Sequence, residues 1–183
     1  QTLLYLRQAL NDDQCAIPFL LVDRDTVQLN PASDYNLDVA EFQALRAACQ
    51  SHAHRRRESC LPCLRRMAQM ADLYRGDFLE QFFVSDSTLF EEWASLKREW
   101  LHREAIEALF TLTDYYTRRG ELTRARQAAW RQVELESWHE EAHRQLMQLL
   151  AMEGERSAAL AQYETCRRIL AQELGVEPMA ETT

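Results

Sequence analysis

The hydrophobic positions between Trp93 and Pro178 form two similar halves, each with the pattern of a helical hairpin. In each half, apolar residues recur at three- and four-residue steps, stop at a glycine, and resume on small residues, as amphipathic helices do. Gly120 and Gly154 are 34 residues apart, and so are Leu112 and Leu146. This is the period of the tetratricopeptide repeat, a helix–turn–helix unit. The pattern therefore predicts a mainly α-helical protein that contains a tetratricopeptide-like array of hairpins.

The apolar stripes also predict which residues form the core of each hairpin. The core of the first hairpin is expected to contain Trp93, Leu96, Trp100, Ala105, Ala108, Leu109, Leu112, Leu122, Ala125, Ala129 and Val133. The core of the second is expected to contain Ala142, Leu146, Leu149, Leu150, Ala159, Leu160, Tyr163 and Leu170. His102, His139 and His143 stand among glutamates and arginines, so we expect them on exposed, charged helix faces.

The amino-terminal part has a different pattern. Residues 2–10 have the spacing of a short helix, and the runs Ile17–Asp23 and Thr26–Asn30 predict a β-hairpin around a polar turn. The alternation in Thr26–Leu29 predicts that one face of the second strand is buried. Further along, Asp38 is a suitable N-cap for one helix, and Pro62 suits the first turn of the next.

Composition narrows the class of protein. Four glycines and four prolines are too few for an all-β fold, and no apolar run is long enough to span a membrane. Five cysteines without a secretion signal indicate a reducing, cytoplasmic setting. The net charge of −8 argues against non-specific nucleic-acid binding by the chain as a whole.

Several segments resemble the bacterial transcriptional activator domain, the all-helical module of Streptomyces antibiotic regulatory proteins and related large multidomain regulators. The segments are Leu73–Leu79 (LYRGDFL), Trp93 with Arg98, Glu140–Met147 (EEAHRQLM), Ala158–Tyr163 (AALAQY) and Leu174–Pro178 (LGVEP). By this resemblance, residues 36–178 form the activator domain and residues 179–183 are a tail or linker. Residues 1–35 then correspond to the last part of the winged-helix DNA-binding domain that precedes it in that family.

The resemblance implies a protein-interaction and dimerisation module that supports DNA binding by a complete winged helix and contacts the transcription machinery. Tetratricopeptide-like arrays expose a concave groove for peptides or helices. We expect this groove to include Tyr115, Arg118, Gln127 and Arg131. The alternative is a ligand- or peptide-sensing domain of a multidomain signalling regulator. We expect no enzymatic activity, because no catalytic constellation or phosphate-binding loop is recognisable in the sequence.

Cysteines and histidines cluster between residues 49 and 63 with the spacing of metal ligands. A Cys-x-x-His pair, Cys49 and His52, is followed by a Cys-x-x-Cys pair, Cys60 and Cys63. Such pairs can hold tetrahedral zinc in a structural site, and His54 is an alternative ligand. Two other interpretations stay open, namely that the cysteines are small core residues or that Cys60 and Cys63 form a redox pair.

Arginines near the predicted β-hairpin are candidates for phosphate contacts in the full regulator. These candidates are Arg7, Arg55, Arg56 and Arg57. A solvated loop is the alternative interpretation of the arginine run, since short charge runs are usually solvent-exposed.

Overall fold

The computed structural model of the chain describes residues 1–54 and 56–183, with the side chain of Arg57 excepted. These residues form seven α-helices and one antiparallel pair of strands. The helices are α1 (Thr2–Ala9), α2 (Asp38–Ser51), α3 (Leu61–Leu73), α4 (Thr88–Arg118), α5 (Leu122–Leu135), α6 (Glu140–Met152) and α7 (Arg156–Ile169), and the strands are β1 (Leu20–Val22) and β2 (Val27–Leu29). The predicted mainly helical fold with a small amino-terminal β-hairpin is confirmed.

The chain divides into two compact units, residues 1–41 and 42–183. In the first unit, β1 and β2 are antiparallel, with Leu20 opposite Leu29. The buried carboxylate of Asp12 accepts hydrogen bonds from the backbone N–H groups of Phe19 and Leu20, which fixes the start of β1. Every residue of β2 is exposed, so the buried face predicted from its alternation is wrong. A two-stranded hairpin of such short strands buries one of its faces only where a further strand or a helix packs against it.

The second unit contains two hairpins, α4–α5 and α6–α7, that turn with the same capping geometry. Gly120 and Gly154 have φ values of +72° and +83°, in the left-handed region that a glycine adopts without a Cβ penalty. The residue after each glycine donates its N–H to the carbonyl five positions earlier, at 2.9 and 2.8 Å. This is the Schellman motif, which satisfies carbonyls left open at a helix end. The predicted hairpin turns are therefore confirmed.

Helix α5 is packed between neighbours on two sides and contributes alanines to two apolar clusters. The first cluster contains Leu64, Met67, Ala108, Leu109, Leu112 and Ala128 from α3, α4 and α5. The second contains Ala125, Ala129, Leu146, Leu149 and Leu150 from α5 and α6. Small side chains on α5 allow the helix axes to approach closely, so a single helix can bury surface against both neighbours.

The predicted core is wrong at the start of α4 and on α7. Trp93 and Leu96 are 49% and 68% exposed, while Ala94 and Leu101 are buried instead. The reason is length: α4 has 31 residues and α5 has 14, which correspond to about 46 and 21 Å at 1.5 Å per residue. The first half of α4 therefore extends beyond its hairpin partner. On α7, Leu160 is 61% exposed.

The loop between α3 and α4 is held by the side chain of Arg98. Its guanidinium donates to the backbone carbonyls of Phe78, Leu79 and Phe82 at 2.7, 3.1 and 3.1 Å. The ring of Phe78 also packs edge-on against Trp93, with centroids 5.5 Å apart. Two segments that carry the family resemblance thus contact each other through one arginine and one aromatic pair.

A partly buried ion pair connects α2 to α4. The guanidinium of Arg46 donates two hydrogen bonds to the carboxylate of Glu104, with Nε–Oε2 and Nη2–Oε1 distances of 2.5 and 2.8 Å. Glu104 is only 5% exposed, and its hydrogen bond raises the pKa of Arg46. Two parallel hydrogen bonds fix the orientation of the two side chains relative to each other. Removing either partner would be destabilising, because the other charge would then be buried alone.

His143 lies in the core, so its predicted place on an exposed, charged face is wrong. The side chain is fully buried, and its Nε2 lies 2.8 Å from the carbonyl oxygen of Ser137, to which it donates. Its Nδ1 lies 2.6 Å from the amide nitrogen of Gln162, from which it accepts. These two hydrogen bonds fit the neutral imidazole, and burial lowers the pKa of His143.

This environment predicts a loss of stability in mild acid. The unfolded chain binds a proton at His143 near pH 6.5, whereas the folded chain binds it only at lower pH. The free energy of unfolding should therefore fall as the pH decreases below 6.5, by up to about 1.4 kcal/mol per pH unit. Denaturant titrations of wild type and His143→Gln at a series of pH values should differ in this slope. Equal slopes for wild type and His143→Gln would contradict the assignment.

The turn geometry predicts that an added Cβ destabilises the fold at Gly154 but not at Gly76. Gly154→Ala should lower the free energy of unfolding by about 1–2 kcal/mol, because an L-residue is strained at this φ. Gly76 is the matched control: its φ is not left-handed, and an added Cβ would meet only the end of the Glu80 side chain. Chemical denaturation should show Gly76→Ala within about 0.5 kcal/mol of wild type. Similar losses for both variants would argue against strain as the cause.

Candidate functional site

A groove runs along one side of α4, with α3 and α5 as its walls; we call it the α3–α5 groove. It consists of two adjoining cavities with volumes of about 490 and 560 Å³. The cavities share Ala68, Tyr116 and Arg124, so they form one continuous depression. The groove exists because α4 packs against both α3 and α5, and alanines rather than large side chains face the space between them.

The floor of the groove is apolar and its rim is mostly basic. Leu109, Leu112 and Tyr116 of α4 line the floor. The charged lining residues are Arg65, Asp72, Arg119, Glu121, Arg124 and Arg131. Four arginines thus outnumber two acidic residues, although the chain as a whole carries a net charge of −8. The groove is therefore a local basic site on an acidic protein.

The arginines at one end of the groove are held by an acidic residue and by tyrosine rings. Glu121 pairs with Arg119 and with Arg124, each at 3.0 Å, and the hydrogen bond from Arg119 lowers the pKa of Glu121. The guanidinium carbons of Arg119 and Arg124 lie 5.8 and 5.6 Å from the ring centroids of Tyr115 and Tyr116. Exposed ion pairs contribute little to stability, so these guanidinium groups can exchange Glu121 for another carboxylate.

The structure brings three of the four predicted groove residues to this site. Gln127 and Arg131 line the first cavity, and Tyr115 lines the second. Arg131 also donates to the backbone carbonyl of Tyr74 at 3.2 Å. Arg118 lines neither cavity; its side chain is 69% exposed and pairs with Asp114 at 2.9 Å. The sequence interpretation missed α3, which forms the second wall. The small residues Ala68 and Ala71, three positions apart on one face of α3, were the feature that could have indicated it.

Four potential metal ligands converge where α2 ends and α3 begins. The ligand atoms of His52, His54, Cys60 and Cys63 all lie within 4.8 Å of one another, and Cys63 Sγ is 3.9 Å from His54 Nδ1. The histidines follow the last residue of α2. Cys60 immediately precedes α3, and Cys63 lies in its first turn, where Pro62 lies as predicted. We call these four residues the His–Cys cluster.

Cys49, a predicted ligand, has a different environment from the cluster. Its Sγ lies 3.7 Å from the carbonyl oxygen of Cys63, and the side chain is 1% exposed. His54, the alternative ligand, occupies the fourth position among the described residues. Without a metal ion, burial and the neighbouring thiols of Cys60 and Cys49 raise the pKa of Cys63 to about 11. The thiol of Cys63 is then protonated at neutral pH, which makes it a poor nucleophile.

Of the four predicted phosphate contacts, Arg7 and Arg56 have side chains that the structure describes. The side chain of Arg7 is 36% exposed, and its Nε lies 3.6 Å from a carboxylate oxygen of Asp12. Arg56 is exposed. Arg55 and the side chain of Arg57 lie outside the described residues. Phosphate binding by these arginines stays a prediction.

An exposed apolar stripe occupies the first half of α4. Leu89, Trp93 and Leu96 are 80%, 49% and 68% exposed, and their spacing of four and three residues places them on one helix face. We call these three residues the α4 stripe. Phe82 and Phe83, in the loop before α4, are exposed as well. A contiguous apolar surface of this kind usually marks a site of protein association.

Comparison with protein-family models gives a match to the Bacterial transcriptional activator domain over residues 37–183. The matched region contains the α3–α5 groove, the His–Cys cluster and the α4 stripe. No curated protein matches the chain. The family is one of transcription regulators and not of enzymes. None of the described helices is both long enough and apolar enough to cross a membrane.

Proposed function

Because the chain belongs to the bacterial transcriptional activator domain family, we propose that it is the protein-interaction and dimerisation module of a cytoplasmic transcription regulator. In this role it supports DNA binding by an adjoining, complete winged-helix domain and contacts the transcription machinery. The α3–α5 groove is the observation that carries the proposal, because it combines an apolar floor with a charged rim on a repeat scaffold.

The groove is suited to a helical segment of a partner protein. Its walls are two helices, and the alanines at Ala68, Ala71 and Ala128 leave space for a partner backbone to approach. Leu109 and Leu112 are almost fully buried below the floor, so the half-buried Tyr116, Ala68 and Ala71 offer the apolar surface that an amphipathic helix buries in helix-in-groove recognition. Arg124 and Arg131 then lie where the polar edge of such a helix would rest.

The charge of the groove rim determines which kind of partner helix the groove favours. The excess of arginine at the rim favours a partner helix with acidic residues along its edges, and guanidinium groups can bind carboxylates with two parallel hydrogen bonds. Among the described residues, Arg119 and Arg124 form ion pairs with the half-buried Glu121, which a partner carboxylate can replace. We therefore propose an acidic amphipathic helix as the occupant of the groove.

The test measures binding of a fluorescent acidic amphipathic helical peptide to the 183-residue chain. A peptide of identical apolar pattern in which glutamine replaces each glutamate is the first control. We expect Arg124→Glu with Arg131→Glu to weaken binding of the acidic peptide at least about tenfold, since close like charges replace attraction. Arg167→Glu on α7, outside the groove, should bind as wild type does. Equal binding of both peptides, or equal losses for both variants, would contradict the proposal.

A second surface, the α4 stripe, supports the dimerisation part of the proposal. Leu89, Trp93 and Leu96 follow the alternating four- and three-residue spacing of a coiled-coil seam. A second copy of the chain offers the same stripe, so two stripes can pair about a twofold axis. Pairing would remove from water three large side chains that the single chain leaves exposed.

Analytical ultracentrifugation of matched variants tests this pairing. We expect the wild-type chain to form a dimer and Leu96→Glu to weaken the dimer at least about tenfold, because a carboxylate would be desolvated in the seam. Leu160→Glu is the matched control, since Leu160 on α7 is 61% exposed and lies outside the stripe. A wild-type chain that stays monomeric at high concentration would contradict the pairing, as would equal weakening by Leu160→Glu.

A further inference from the structure

The connection between α2 and α3 has no apolar anchor of its own among the described residues. From Ser51 to Ser59 the described positions are exposed or half-buried and mostly polar. Yet two histidines of this segment and two cysteines at the start of α3 bring four potential zinc ligands together, and α3 forms a wall of the α3–α5 groove. We propose that His52, His54, Cys60 and Cys63 bind a structural zinc ion that fastens this connection to α3.

The spacing of the donor atoms fits a tetrahedral ion with little adjustment. Zinc bonds of about 2.3 Å to sulfur and 2.0–2.1 Å to nitrogen place tetrahedral donors about 3.3–3.8 Å apart. The four donor atoms of the cluster lie within 4.8 Å of one another, and one sulfur–nitrogen pair is already at 3.9 Å. Rotation of partly exposed side chains closes the remaining distance, because the loop around His52 and His54 has few packing constraints.

The donor types and their positions favour zinc over harder cations. Two imidazoles and two thiolates form the Cys₂His₂ set of structural zinc sites, and the two thiolates neutralise the charge of the ion. Cys60 is the N-cap residue of α3 and its side chain makes no capping hydrogen bond, while Cys63 lies in the first turn.

Four protein ligands leave no open coordination position, so the ion is structural and not catalytic. It joins a segment that continues α2 to the first turn of α3, and Leu61, Leu64 and Arg65 of that turn line the groove. The buried side chain of Cys49 lies behind the cluster, with its Sγ 3.7 Å from the carbonyl oxygen of Cys63, and it is not one of the four ligands. Removal of the ion would therefore loosen one wall of the groove.

The ligand set is tested by the metal content of the 183-residue chain after refolding with zinc and dialysis. We expect one zinc ion per wild-type chain, and its loss in Cys63→Ser and in His54→Asn. Cys49→Ala and Cys15→Ser, which alter cysteines outside the cluster, should retain the ion. A wild-type chain without zinc would overturn the site. Loss of zinc in Cys49→Ala with retention in His54→Asn would overturn this ligand set.

Two measurements on the wild-type chain avoid the risk that a variant fails to fold. Cobalt(II) in place of zinc should give the intense visible absorption of a tetrahedral ion and the near-ultraviolet charge-transfer bands of bound thiolate. Thiol titration should detect Cys15 in the zinc-loaded chain and Cys60 in addition after a strong chelator, since the other three cysteines are buried. Octahedral cobalt spectra, or thiol counts unaffected by the chelator, would overturn the proposal.

Discussion

The second unit depends on one packing constraint: each helix buries its apolar face only against neighbouring helices of the same array. Helix α5 shows the constraint most clearly, because Ala125 and Ala129 contact α6 while Ala128 packs against α3 and α4. Close approach needs small side chains, and the dispersion attraction between closely packed atoms is lost when a gap opens between helices. Left-handed glycines at Gly120 and Gly154 set the direction in which each helix returns, so turn chemistry and packing specify the same arrangement.

Both proposed interaction surfaces lie where this packing is incomplete. The α3–α5 groove lies where two helices flank α4 but present alanines to the space between them. The α4 stripe lies where α4 extends past the end of α5 and no second helix among the described residues covers Leu89, Trp93 and Leu96. Repeat proteins commonly place their binding surfaces where the stacking of helices leaves a concave or uncovered face. The fold therefore generates the surfaces without any departure from regular helical geometry.

The sequence predicted the features that depend on local pattern. The hairpin turns and the apolar face of α6 follow from the 34-residue spacing and from helical periodicity, and both are confirmed. The exposure of Trp93 could not be predicted, because periodicity identifies an apolar face but not whether a partner helix reaches it. His143 was misassigned for a related reason: its neighbours in sequence are charged, but its partners Ser137 and Gln162 are set by tertiary packing. The wall formed by α3 was missed because a groove between three helices has no linear motif.

The continuity of α4 has a mechanical consequence. Trp93 in the stripe and Tyr116 in the groove lie on one uninterrupted helix, about 35 Å apart at 1.5 Å per residue. A pair of chains joined through the stripe would hold its two grooves at a fixed separation, as a rigid spacer does. A regulator with two acidic segments at a matching distance would then bind both grooves with an avidity set by geometry, which exceeds the affinity of either groove alone. The length of this helix would thus set the distance between two segments that both grooves can bind at once.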